Sequence, residues 1–208
     1  MSKAKILQSI SQALIQNPLQ NEQAIYQDII IPQEQDKIKE YKRLQEANKA
    51  EVFDIQKDEI SQILNEIFQR ENISQTLISA SLQKEIDISI PTLVYDTPME
   101  IIKDKLFSIE CGILQADYGI SNLGVITLTS NHNQPRLLSL ITKHCIILLE
   151  KNKILSNLSE AITAIKRNYP DVLPSNILFI AGPSRTADIE LQVVFGVHGP
   201  QKVYVLLY

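Results

Sequence analysis

The chain has no tryptophan and only two cysteines and six glycines among its 208 residues. Cys111 and Cys145 form no Cys-x-x-Cys unit and have no histidine cluster beside them. That excludes a structural zinc site or an iron–sulfur cluster held by this chain alone, and no metal or cofactor is expected. Both lie in apolar, strand-like runs and read as buried, reduced thiols of a cytoplasmic protein. No apolar run approaches the length that crosses a bilayer. Met1-Ser2-Lys3-Ala4-Lys5 is not followed by the apolar stretch of a signal peptide. The net charge is −4, without a basic block, which argues against nucleic acid as the main ligand.

What is present suits one α/β domain with a helical appendage, long enough to bury a core without disulfides. Residues 1–70 are rich in Gln, Glu, Lys and Asn and read as an N-terminal helical extension. Ile6, Leu7, Ile10 and Leu14 recur at helical spacing before Pro18, and Ile29-Ile30-Ile31-Pro32 reads as an extended linker. Asp36 to Phe53 is polar and helix-favouring. Ile60, Ile63, Leu64, Ile67 and Phe68 form an apolar stripe at i, i+3, i+4, i+7 and i+8. That stripe is expected to pack on a sheet; a partner-docking arm is the other reading.

Over residues 71–208 short apolar runs alternate with helical stretches, the pattern of a sheet with helices on its faces. Thr76–Ser79, Ile109–Leu114, Val125–Thr129, Cys145–Leu149, Ile177–Ala181 and Val203–Leu207 are the expected strands, with an amphipathic helix over Leu155–Asn168. Asp117–Gly124 reads as a loop that leaves its two flanking strands locally antiparallel. The C-terminal unit reads as strand, tight turn, short helix, glycine-proline loop and strand.

Candidate chemistry gathers in those turns. Gly182-Pro183-Ser184 stands between an expected strand and helix, where free N–H groups suit an anion. Arg185 offers a bidentate clamp. In the plainer reading Ser184 caps the helix, Asp188 offsets its dipole, and Arg185 pairs with Asp188 or Glu190. Asp117 and Tyr118 could bind or protonate an oxygenated substrate, or else form a turn with the ring on the sheet. Asn122 and Gly124 could set an amide and bare backbone beside a ligand, or hold a left-handed turn. Arg136 and Ser139 follow a turn-like Asn131–Pro135; Arg136 serves an anion, or a salt bridge to Asp117 or Asp188. His198, between Val197 and Gly199-Pro200, is a candidate general base or a histidine that ties down its turn. His198, Asp117 and Asp188 are thus the candidate catalytic groups. Tyr118, Asn122, Gly124, Arg136, Ser139, Gly182, Pro183, Ser184, Arg185 and Glu190 are the candidate binding groups.

Two ordered stretches also carry a family resemblance. Ala181-Gly182-Pro183-Ser184-Arg185-Thr186-Ala187-Asp188-Ile189-Glu190 with Gly196-Val197-His198-Gly199-Pro200 resembles the closing signature of the LUD domain family, of LutC-like type. Gly112 to Ile120 with Gly124–Leu128 is similar to a second stretch of that family, and Arg136-Leu137-Leu138-Ser139-Leu140 fits its arginine-serine segment. The likeness runs over about residues 92 to 208. Where the family usually has Ala-Glu-Thr-Gly, this chain has Ser121-Asn122-Leu123-Gly124, so a carboxylate and a hydroxyl are lost. The resemblance implies a three-layer α/β/α sandwich of the NagB/RpiA/CoA-transferase-like type. It also implies a bacterial lactate utilization system, oxidising lactate to pyruvate, in which separate iron–sulfur subunits carry electrons. Such a chain would bring a small anionic ligand or an assembly surface, self-association included. Two other readings stand beside it: an independent enzyme on a phosphorylated or CoA-linked metabolite, and a non-catalytic scaffold.

Overall fold

The structure is a computed structural model that describes residues 2–18, 30–186, 194–196 and 198–208. In chain order it forms α1 (Lys3–Gln16), α2 (Lys37–Ala47), β1 (Glu51–Asp54), α3 (Ile60–Glu71), β2 (Thr76–Ile78), β3 (Thr92–Val94) and α4 (Met99–Ser108). Then come β4 (Cys111–Gln115), β5 (Tyr118–Ile120), β6 (Val125–Thr129), β7 (His144–Leu149), β8 (Ile154–Leu155) and α5 (Leu158–Asn168). The chain closes with β9 (Ile177–Ile180), β10 (Arg185–Thr186), β11 (Val194–Phe195) and β12 (Lys202–Leu207).

β7 and β12 are apolar at nearly every position, so both their faces need cover. They lie at the centre of a six-stranded, all-parallel sheet ordered β1-β12-β7-β4-β2-β3. On one face Cys111, Ile113, Ile146, Leu148, Tyr204 and Leu206 pack against Ile60, Leu64, Ile67 and Phe68 of α3. On the other, Leu114, Cys145, Ile147, Leu149, Val203 and Val205 pack against α2, through Tyr41, and against β6 and β8. The two cysteines therefore point to opposite faces. Both are buried and unpaired, and desolvation pushes the Cys111 thiol up to about 12. The second face is shared with a smaller sheet ordered β8-β5-β6-β9, whose outer side carries α5. This mixed α/β layering fits the expected three-layer α/β/α fold. Among the described residues no helix is long and apolar enough to cross a membrane.

Four local expectations are corrected. Asp36–Phe53 is not helical throughout: α2 stops at Ala47 and Glu51–Asp54 pairs with β12 as an edge strand. The expected 117–124 loop holds a strand, β5, which pairs antiparallel with β6, while β4 belongs to the parallel sheet. β3 and α4 were not foreseen. After Ser184 the chain enters β10, antiparallel to β11, so Ser184 caps no helix at that point.

The entry to α2 is pinned by carboxylates. Asp36 accepts hydrogen bonds from the Ile38 and Lys39 amides at 2.8 and 3.1 Å, a standard N-cap. Glu40 accepts from the Gln33 and Glu34 amides and from both arms of the Arg43 guanidinium. The Arg43 hydrogen bonds, aided by those amides, outweigh desolvation and hold Glu40 at about 2, against an ordinary 4.5. A carboxyl depressed in the folded state contributes stability in full above its ordinary value and loses it as pH falls toward the folded one. Melting curves between pH 5 and pH 2 should therefore fall more steeply for the native chain than for Glu40→Gln, converging at the acid end. Parallel curves would show that Glu40 holds nothing in place.

Candidate functional site

The structure divides the sequence-derived candidates among three places. Gly182, Pro183, Ser184 and Arg185 follow β9 and meet His198–Pro200, with the Ser184 amide donating to the Pro200 carbonyl at 2.9 Å. That amide is therefore taken. The Gln201 amide donates to the Lys143 carbonyl, next to the start of β7. The loop pair thus stands at the amino ends of the main parallel strands. Gly182, at φ +89°, packs on the Asn48 carbonyl just past α2, and the Arg185 guanidinium donates to that same oxygen. A cation at a helix C-terminus is favoured by the helix dipole. His198 is exposed. Asp188 and Glu190 lie outside the described residues.

Asp117, Tyr118, Asn122 and Gly124 belong to the small sheet. The Asp117 carboxylate accepts from the Thr129 amide, and desolvation raises its pKa against the lowering effect of the Thr129 hydrogen bonds. The Thr129 and Tyr169 hydroxyls are 3.1 Å apart, which extends this chain of contacts to the end of α5. The Tyr118 hydroxyl accepts from the Asn168 amide at 2.9 Å. Asn122 is buried in a short 3-10 turn, its amide bonded to the Ser156 carbonyl at 3.2 Å. Gly124, at φ +58°, lies against α2: a Cβ there would stand 2.6 Å from the Leu44 carbonyl carbon. At Asp117, Tyr118 and Gly124 the geometry describes loop bracing and helix packing.

Arg136 stands elsewhere. β2 leads onward to β3 on one side, whereas β4 leads, through the small sheet, to β7 on the other. Neighbouring strands that diverge in this way open a crevice at their carboxyl ends, the usual ligand position in such sheets. The loop over residues 131–135 covers that point. The Gln134 side chain donates to the Gln115 carbonyl and accepts from its amide, both at 2.9 Å, and the Ala80 amide donates to the Asn133 carbonyl. Between this loop and Tyr95–Met99 lies a cleft of about 290 Å³, lined by Tyr95, Asp96, Thr97, Met99, His132 and Pro135 among others. Arg136 follows Pro135 directly. It is exposed and makes no ion pair among the described residues. Its positive charge reaches the Tyr95 phenol, where it counters the upward push of desolvation and of Glu100. Ser139 is buried and its hydroxyl donates back to the Arg136 carbonyl at 3.1 Å, which fixes the turn that carries the arginine.

Arg136 and Ser139 are thus the sequence-derived candidates that reach the carboxyl-end crevice. β9 starts beside them, since Leu178 closes a small gap with Arg136 and Ser139, and it ends at the Gly182 loop. Four residues of strand span about 13 Å, so the Arg136 corner and the Gly182–Arg185 loop are separate places. Sequence reasoning missed Tyr95, Asp96 and Gln134. Among the described residues no group of three or more His, Cys, Asp or Glu could hold a metal ion.

Comparison with known proteins adds the following. A family model described as the LUD domain matches residues 38–208. An uncharacterized protein of Neisseria meningitidis is 25% identical over 181 residues, 83% of this chain and 77% of that one. Lactate utilization protein C of Halalkalibacterium halodurans is 35% identical over 106 residues, 50% of this chain. That matched region spans 46% of the relative's own length. A crystal structure of a DUF162 family protein from Deinococcus radiodurans superposes with a TM-score of 0.65 at 16% identity, covering 82% of this chain and 95% of that one.

Proposed function

Because the chain belongs to the LUD domain family, we propose that it serves as a LutC-like subunit of a bacterial lactate utilization system, in the cytoplasm. Its partners in this reading are separate iron–sulfur subunits, which carry the electrons released as lactate becomes pyruvate. The observation behind this division of labour is the placement of the cysteines. Cys111 and Cys145 are buried on opposite faces of one sheet, and desolvation keeps both thiols protonated at neutral pH, so neither can become a cluster ligand without unfolding the core. The chain's own contribution is an anion-binding cleft at the carboxyl ends of the strands, with Arg136 as its cation.

The experiment is a pull-down of the tagged chain from its native cell, followed by an assay of the purified chain with L-lactate and an artificial electron acceptor. Cysteine-rich iron–sulfur proteins in fixed ratio, and no acceptor reduction by the chain alone, are expected. Lactate oxidation by the isolated chain would overturn the reading and favour an independent enzyme.

A further inference from the structure

β9 is composed like a covered strand but stands at an open edge. Ile177-Leu178-Phe179-Ile180 is apolar at every position, the pattern of a strand with neighbours on both sides. Yet β9 ends the β8-β5-β6-β9 sheet, and none of its four residues is buried, whereas four of the five in β6 are. The other edges of the two larger sheets are guarded in ways that prevent stray pairing. β1 has charged ends, with Glu51 held by Arg70 and Asp54 by Lys42 and Lys151. β3 is three residues long and follows Pro91. β8 is two residues long and follows the Glu150–Lys153 ion pair. β9 carries neither a charge nor a proline.

Register decides which backbone groups face that edge. The Ser130 amide donates to the Asn176 carbonyl at 3.1 Å, so Asn176, Leu178 and Ile180 turn their backbone groups to β6. Ile177 and Phe179 turn theirs outward. Accordingly the Thr127 carbonyl, opposite Phe179, accepts from the Asp117 amide on its other side.

We propose that β9 pairs antiparallel with β9 of a second copy of this chain, about a two-fold axis at Leu178, and joins the two small sheets into one. In that register Ile177 lies opposite Phe179 of the second copy, and Phe179 opposite its Ile177. The two outward amides and two outward carbonyls of each chain then bond to those of the other, which makes the edge complementary to itself. Charge favours a copy over a different partner. Residues 172–184 contain no Asp, Glu, Lys or Arg, so two chains of net charge −4 meet there without like-charge repulsion, and a charged partner finds nothing to pair with. Phe179 is 43% exposed, and Val172 and Leu173, on the segment leading into β9, are 79% and 46% exposed. A second copy supplies cover for this apolar rim. The pairing stands apart from the lactate reading and holds or fails without it.

The test is sedimentation of the full chain over a concentration series. The mean mass should rise from that of one chain toward that of two. Phe179→Lys puts a cation on each side of the pairing and should weaken the dimer about tenfold or more, with an unchanged melting temperature in dilute solution, where the chain is monomeric. Cysteine variants read the register, since both native cysteines are buried. Leu178→Cys lies opposite itself across the axis and should give a disulfide-linked dimer under mild oxidation. Ile177→Cys lies two residues out of step with its copy, beyond the roughly 7 Å that a disulfide spans, and should not. A native chain that stays monomeric at every concentration would overturn the proposal, whether the edge is then open, covered from within the chain or taken by another protein. Equal cross-linking of the two cysteine variants, or a Phe179→Lys chain that dimerises as tightly as the native one, would overturn it too.

Discussion

A chain starting at residue 71 should not fold. The composition of residues 1–70 makes that segment look like a detachable helical extension, but the core depends on part of it. α3 supplies Ile60, Leu64, Ile67 and Phe68, each at most 4% exposed, to cover one face of β4, β7 and β12. Burying four such side chains is worth about 6–12 kcal/mol. That is comparable to the whole net stability of an ordinary domain, about 5–15 kcal/mol. The same cut removes β1, which pairs along its whole length with β12 from Glu51↔Tyr204 to Asp54↔Leu207. It also removes Tyr41, fully buried beneath the small sheet. Residues 71–208 alone should therefore show no cooperative melting transition and should bind hydrophobic dyes. Deleting residues 2–18 should leave the melting temperature within a degree or so, because α1 buries none of its residues. A cooperatively melting 71–208 chain would show that the α3 layer is dispensable.

What could be read from the sequence, and what could not, follows from how each element is buried. β4, β7 and β12 are covered on both faces, and their continuous apolar runs announce them. β1 does not: Glu51-Val52-Phe53-Asp54 has charged ends, and as an edge strand only its middle is half-buried. β3 is three residues long, also at an edge, and follows a proline. α4 is interrupted by a non-helical Ile102, which blurs its periodicity. The site was legible only in part for a different reason. Arg136 stands out as a lone arginine after a turn. The crevice beside it exists because β2 and β4 send their connections in opposite directions, and strand order cannot be read from local pattern. Tyr95 and Asp96 come to line the cleft beside it only through that order. The Gly182–Arg185 turn is placed by the same strand order. It does follow a strand, but β9 belongs to the small sheet and delivers the turn to the amino ends of the main one.

Gly124→Ala should be among the most damaging single substitutions in the chain, and its cause separates packing from ligand binding. The residue closes the 3-10 turn over Ser121–Leu123 at φ +58°, a conformation that costs a residue with a Cβ about 1–2 kcal/mol. The new methyl would also stand 2.6 Å from the Leu44 carbonyl carbon and 2.7 Å from the Gln45 nitrogen, inside the distance real atoms adopt. Those are backbone atoms of α2, so no rotamer change relieves the clash, and overpacking of this kind adds about 1–3 kcal/mol. The sum, about 3 kcal/mol, corresponds to a fall of about 6–12 °C in the melting temperature of a domain this size. Trimming Leu44→Ala in the same chain should restore little, because the backbone contacts remain. A Gly124→Ala chain that melts like the native one would show that α2 yields there, and would return Gly124 to the residues that approach a ligand. The expected loss makes this glycine the seat of α2 on the small sheet.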